Sequence, residues 1–226
     1  CQPEDVPTSG MEWWGGQDWG YAAPGCFLLA GRHTPTGRLY VVAEVYTDRI
    51  PVYVEEQSEY AGLTWAGLVA PLVEEHRVRT VWTDVSEGNK SCLAYRRAGI
   101  PAVVVHKGTV LDGIKTVSRL LHGDRPILQV SARCPNLIRE MGAYAFMLTG
   151  SDLVVEKPDP RVDDHAADAL RYLVGSLFGV RGVAVDEPPA PPPVVRPFTA
   201  WSREEQLAYL SRQRKIDNER RRRRRV

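Results

Sequence analysis

The run Val162-Asp163-Asp164-His165-Ala166-Ala167-Asp168-Ala169-Leu170-Arg171-Tyr172 gathers three carboxylates and an imidazole into two turns of a predicted helix. Asp164 and Asp168 are four residues apart and His165 and Asp168 three apart, a spacing that lets all share one helical face. Clustered anions repel each other unless a cation sits between them, and Asp and His supply the oxygen and nitrogen donors that suit Mg2+ or Mn2+. The run therefore forms the late half of a metal site whose other carboxylates must lie upstream.

Two upstream acids close strand-like segments. Met11 to Gly20 is aromatic and ends in Asp18-Trp19-Gly20, and Arg79 to Asp84 is a short β-rich run ending on an acid. Cys26 to Arg32 and Arg38 to Tyr46 are apolar runs joined by His33-Thr34-Pro35-Thr36-Gly37, a good hairpin connection. Helical spacing spans Thr64 to His76, with further helices predicted around Lys90 to Arg97, Gly113 to Leu121 and Pro135 to Met147 (closing near Gly150). Ile100 to Val105 is a fifth strand, and the acidic helix runs from about Asp164 to Leu177. Three meandering strands, then helix–strand–helix–strand, then helices, is the order of a ribonuclease H-like α/β fold. Such a fold has a central mixed five-stranded sheet, three antiparallel strands then two parallel, flanked by helices. In it the acids of the first strand, fourth strand and last helix can converge. Phosphodiester hydrolysis in this geometry uses two divalent ions about 4 Å apart, one activating a water and the other stabilising the leaving 3′ oxygen. Asp18, Asp84 and Asp168 are thus the candidate catalytic and metal-binding residues, with His165 or Asp164 as candidate additions.

Each of these residues has a plainer reading. Asp18 fits a turn before Gly20, Asp84 a helix N-cap or strand-end turn, and His165 a cap or buttress of its helix. Asp163 is predicted as the N-cap, and Asp164 as an outer acid or an auxiliary ligand. Glu44 interrupts an apolar strand, so it lies on the solvent face or near the site without joining the ligand set. Glu87 falls in a Gly-Asn turn and is read as solvated. Candidate phosphate contacts are Lys90, Arg96, Arg97, Lys107, Lys115 and Arg119, which otherwise serve as surface charges. Trp13, Trp14 and Trp19 are placed in the core rather than in base stacking.

The 226 residues, 43% hydrophobic and 25% charged, suffice for one domain with a core plus appendages. No apolar run approaches a membrane span, and no signal peptide opens the chain. Cys1, Cys26, Cys92 and Cys134 are scattered with no CxxC pair, which points to reduced thiols in a cytoplasmic setting rather than disulfides or zinc. The chain opens on Cys, as a fragment, a processed product or a cut piece would. Residues 200–226 carry ten Lys or Arg and four Asp or Glu, whereas residues 1–199 carry 19 basic and 24 acidic residues. An acidic body does not attract nucleic acid by its overall field, so any DNA contact needs a local basic groove and metal ions. Asp186 to Pro197 is a proline-rich, extended linker, Trp201 to Asn218 a predicted charged helix, and Arg220 to Arg225 an unbroken arginine run.

From Gly16 to Leu177 the chain resembles the C-terminal nuclease domain of the large terminase subunit of tailed bacteriophages. The resemblance rests on Asp18-Trp19-Gly20 with Pro24, Ala43-Glu44-Val45-Tyr46, Thr83-Asp84, Gly113-Ile114, Arg139-Glu140 with Tyr144, and above all Asp164 to Tyr172. It implies that Asp18, Asp84 and Asp168 bind two Mg2+ or Mn2+ ions, with His165 or Asp164 assisting. It also implies an endonuclease that cuts concatemeric viral DNA at the start and end of packaging. The portal protein and the small terminase subunit are its implied partners, no membrane is involved, and it works in the host bacterial cytoplasm, transiently at the procapsid portal. The implied layout is an N-terminal segment over 1–15 left from a linker to an ATPase domain, a nuclease domain over 16–180, a Pro-rich linker over 181–199 and a basic tail over 200–226. The family's ATPase motor carries a GxxxxGK[ST] phosphate loop, and this chain contains none. Two other readings share the same acids: a Holliday-junction resolvase or transposase, and a non-catalytic module that docks DNA to the portal.

Overall fold

Gly25–His33 is buried along nearly its whole length, with Cys26, Leu28 and Ala30 packing to one side and Phe27 and Leu29 to the other. A strand apolar on both faces must be covered on both. The computed structural model describes residues 1–52, 63–85, 89–105, 110–122, 126–144, 146–148, 154–158 and 161–179, the two strand segments at 146–148 and 154–158 by backbone alone. The chain divides into two units, Cys1–Pro188 and Pro189–Val226, and every described residue lies in the first.

Strands β1 (Met11–Asp18), β2 (Gly25–His33) and β3 (Leu39–Thr47) form an antiparallel meander. Strand β4 (Thr80–Thr83) pairs parallel with β1, and β5 (Ala102–Val104) pairs parallel with β4. A sixth strand, β6 (Leu128–Val130), adds parallel to the free edge of β3, giving the order β5-β4-β1-β2-β3-β6. The sequence supports only five of these. Three residues are too few to show an alternating pattern, and β6 exists because β3 offers unpaired backbone groups.

Helices α1 (Trp65–His76) and α2 (Lys90–Arg97) bring Trp65, Val69, Val73 and Tyr95 onto the face carrying Phe27, Leu29 and Val81. The opposite face, with Trp14, Leu28 and Val41, receives Leu120, Leu137, Leu170 and Leu173 from α3 (Val110–Leu121), α4 (Pro135–Ala143) and α5 (His165–Phe178). The tryptophans follow the core reading: Trp14 is buried, Trp13 packs on His76 and Trp19 edge-on against Tyr95. No helix among the described residues is long and apolar enough to cross a membrane.

Several boundaries differ from expectation, α3 for one beginning at Val110 rather than Gly113. Helix α4 stops at Ala143 rather than Met147, and Phe146–Leu148 becomes β7, paired antiparallel with β8 (Val154–Pro158). A short continuous apolar run carries no period that separates helix from strand. The N-cap of α5 is Asp164 and not Asp163, and its side chain makes no capping bond, because a residue distant in sequence performs that task.

Candidate active site at the carboxyl edge of the sheet

Strands β1 and β4 are parallel neighbours with Gln17 opposite Thr83. The next residue in each is an acid, so Asp18 and Asp84 emerge at one level of the sheet edge, on backbones about 4.8 Å apart as the spacing of neighbouring strands dictates. The Asp84 amide donates to Gln17 O at 3.3 Å, which holds the two strand ends together. Gln17, fully buried, donates from Nε2 to Asp18 O at 2.7 Å and accepts at Oε1 from the Tyr95 hydroxyl at 2.8 Å. Carboxyl ends of parallel strands are where open α/β sheets place their ligands.

Helix α5 completes the arrangement because Gly16 lets its backbone lie directly on β1. A Cβ at Gly16 would collide with Ala169 O and come within 2.9 Å of Leu173 Cβ. The first turn of α5 then overhangs the sheet edge, and His165 Nδ1 donates to Asp18 Oδ2 at 3.2 Å. Burial raises the Asp18 carboxyl to about 6; the His165 hydrogen bond opposes the shift, while the charges of Asp168 and Asp84 add to it. The bond to Asp18 raises His165 in turn, against the effect of burial. Asp164 is raised by burial and by Asp168. Three carboxylates thus crowd one partly dehydrated edge.

Asp168 has local partners. Arg171 donates from Nε to Oδ1 at 3.2 Å and from Nη2 to Oδ2 at 2.7 Å, and the Tyr172 hydroxyl donates to Oδ2 at 3.3 Å. Asp84 Oδ1 accepts from the Val85 amide at 2.6 Å. In this arrangement no three Asp, Glu, His or Cys side chains among the described residues close on one coordination point. The donor set still fits a hard divalent cation, since oxygen ligands are supplied and a cation would offset both the burial that chiefly raises Asp18 and the added repulsion of Asp168 and Asp84.

Two glutamates hold the supporting helices. Glu44 of β3 accepts at Oε1 from the Asn136 amide and side chain at 2.8 and 2.7 Å, and at Oε2 from the Leu137 amide at 3.0 Å, so it caps α4. Glu140 of α4, only 2% exposed, accepts at Oε2 from the Ala166 and Ala167 amides at 2.6 and 3.1 Å and caps α5. A carboxylate there also meets the positive end of the helix dipole. Glu140→Ala should therefore cost about 2–3 kcal/mol of stability. Urea unfolding in EDTA measures this, and an unchanged midpoint would remove Glu140 from the support of α5.

Glu140 figures in the sequence only as part of the Arg139-Glu140 resemblance; its capping role has no signal there, because its partners are 26 and 27 residues away. Arg171 and Tyr172 could have been found, since i+3 and i+4 from Asp168 share its helical face. Among the candidate DNA contacts, Lys115 and Arg119 are exposed on α3, Lys90 is exposed at the start of α2, and Arg96 donates to Ala102 O at 2.6 Å. Lys107 and Glu87 lie outside the described residues.

Strand order, crossing helix and paired strand-end acids define an α/β domain of the ribonuclease H-like class. No protein-family model and no curated protein sequence matches the chain. Solved structures do. The large terminase of a thermophilic bacteriophage superposes with a TM-score of 0.62 at 25% identity over 78% of this chain, which spans 41% of that terminase. The nuclease domain of the bacteriophage SPP1 large terminase, solved with bound Mn, matches at TM-score 0.53 and 21% identity over 71% of this chain and 84% of its own. That of P22 matches at 0.57 and 15% over 82% and 88%. The chain has the fold of a large-terminase nuclease domain.

Proposed function

We propose that this chain is the nuclease part of a viral DNA-packaging terminase large subunit, a metal-dependent endonuclease that cuts concatemeric double-stranded DNA. The observation that carries the reading is the placement of Asp18 and Asp84 at adjacent parallel strand ends beneath the helix that bears His165 and Asp168, on a fold shared with terminase nuclease domains. Asp18, Asp84 and Asp168 would hold two Mg2+ or Mn2+ ions, with His165 or Asp164 assisting. When bound, such ions supply an activated water and charge neutralisation at the phosphate and the leaving oxygen. The chain's own residues set the stage. His165 orients the Asp18 carboxylate, Gln17 and Tyr95 fix the strand end, and Glu140 anchors the first turn of α5.

The acidic body leaves DNA attraction to local cations, for which Lys90, Lys107, Lys115 and Arg119 are the candidates. The basic segment 200–226 would tether DNA or an acidic surface of the portal. The portal, the small terminase subunit and a site of action in the host bacterial cytoplasm complete the proposal.

The purified chain should nick and linearise supercoiled plasmid with Mn2+ or Mg2+ and stop in EDTA. Lacking a GxxxxGK[ST] loop, it should turn over no ATP. A marked preference for four-way junctions over linear duplex would move the assignment to a resolvase. Binding without cutting under every metal condition would leave a docking module.

A further inference from the structure

Arg171 is fixed from three sides. Its fork grips both oxygens of Asp168, its guanidinium carbon lies 4.9 Å from the Tyr172 ring centroid, and its stem lies over Gly113 of α3. A Cβ on Gly113 would run into Arg171 Cγ and Cδ, so the glycine is a notch cut for this side chain. Only 12% of the arginine side chain is exposed. A carboxylate held by a bidentate guanidinium loses its rotational freedom and has its plane set. Each oxygen offers two acceptor sites. Among the described residues, Oδ2 is filled by Arg171 and Tyr172, whereas Oδ1 takes a single donor and keeps one site.

We propose that Arg171, seated in the Gly113 notch, is a positioning residue that fixes Asp168 so that Oδ1 is presented to a divalent cation. The inference rests on the reading of Asp168 as a metal ligand and says how that ligand is aimed. Two effects oppose each other: the positive charge of Arg171 repels a cation, while orienting the ligand in advance favours it. Removing hydrogen-bond partners of metal ligands typically weakens binding about 10- to 100-fold, so orientation wins.

The test is calorimetric titration of Mn2+ into the full chain without DNA. Arg171→Ala should weaken binding about tenfold or more, and Arg171→Lys should do nearly the same, because an ammonium keeps the charge but not the fork. Gly113→Ala should also weaken binding while leaving every charge in place. The arginine has room to shift, since it borders a cavity of about 310 Å³ also lined by Ile114, Leu121, Met141 and Tyr144. Alanine also favours the helix, which offsets part of any loss of folding. In the Arg171→Ala background, Gly113→Ala should change affinity less than about twofold, since no Cγ remains to collide.

Thermal melting in EDTA identifies any variant that fails to fold, and Arg171→Lys then carries the test. Tighter Mn2+ binding by Arg171→Ala or Arg171→Lys would make the arginine a competitor of the cation and overturn the proposal. Equal binding by wild type, both Arg171 variants and Gly113→Ala would overturn it as well, leaving the nuclease reading intact. A wild-type chain that binds no Mn2+ would sink both.

Discussion

Asp84→Asn should abolish plasmid cleavage, lowering the rate by about three orders of magnitude or more while the chain still folds. The amide nearly matches the carboxylate in shape but removes the charge that would hold a divalent ion in the proposed site. It also keeps an oxygen for the Val85 amide now bonded to Asp84 Oδ1 at 2.6 Å. Asp18→Asn and Asp168→Asn should behave alike, since one member lost from a shared metal site disables the whole. The losses should not add: a double variant should be no slower than either single one. Cleavage near the wild-type rate with Mn2+ by any of the three would remove that residue from the site.

Asp18 should also make the metal-free protein less stable as pH rises. Its carboxyl moves from 3.8 to about 6 on folding, mainly through burial, so the native state holds that proton more tightly than the unfolded chain. The resulting stability is fully present below about 4 and lost as pH rises through about 6. It amounts to about 3 kcal/mol. His165 is raised as well, chiefly by its bond to Asp18, and acts with the same sign: its contribution is present below its ordinary range and lost as pH rises through its folded value. In EDTA, Asp18→Asn should therefore match wild type near pH 4 and exceed it above pH 6 by up to about 3 kcal/mol. Urea unfolding of the two proteins side by side isolates this from every other carboxylate. A cation replaces the protons, so Mn2+ should raise the wild-type midpoint more at pH 8 than at pH 5. A difference between wild type and Asp18→Asn that stays flat with pH would mean the carboxyl is not buried as described.

The outline of the fold was legible because each of its signals is local. Aromatic and apolar runs with turn chemistry marked β1 to β3, and helical spacing marked α1 and α5, since these signals are carried by residues close together in the chain. Elements that owe their existence to a distant partner were not legible. β6 depends on the free edge of β3, and the helix-to-strand change at Phe146 on pairing with β8. Glu44 shows the same limit: as a charge in an apolar strand it was noticeable, but its task of capping α4 requires a helix that starts 91 residues later.

For the site, the sequence by itself determined the ingredients. Asp18 and Asp84 each end a strand, and Asp168 and His165 share a helix face; nothing beyond residue type and period is needed for that. The tertiary structure decided how they are brought together. Parallel register brings Asp18 and Asp84 level, the missing Cβ at Gly16 lowers α5 onto β1, and burial then raises Asp18. Arg171 turned from one residue of a motif into the fork on Asp168, because Gly113 of another helix leaves room for its stem. Spacing along the chain fixes which side chains point together, but close approach and loss of water belong to surfaces that meet only on folding.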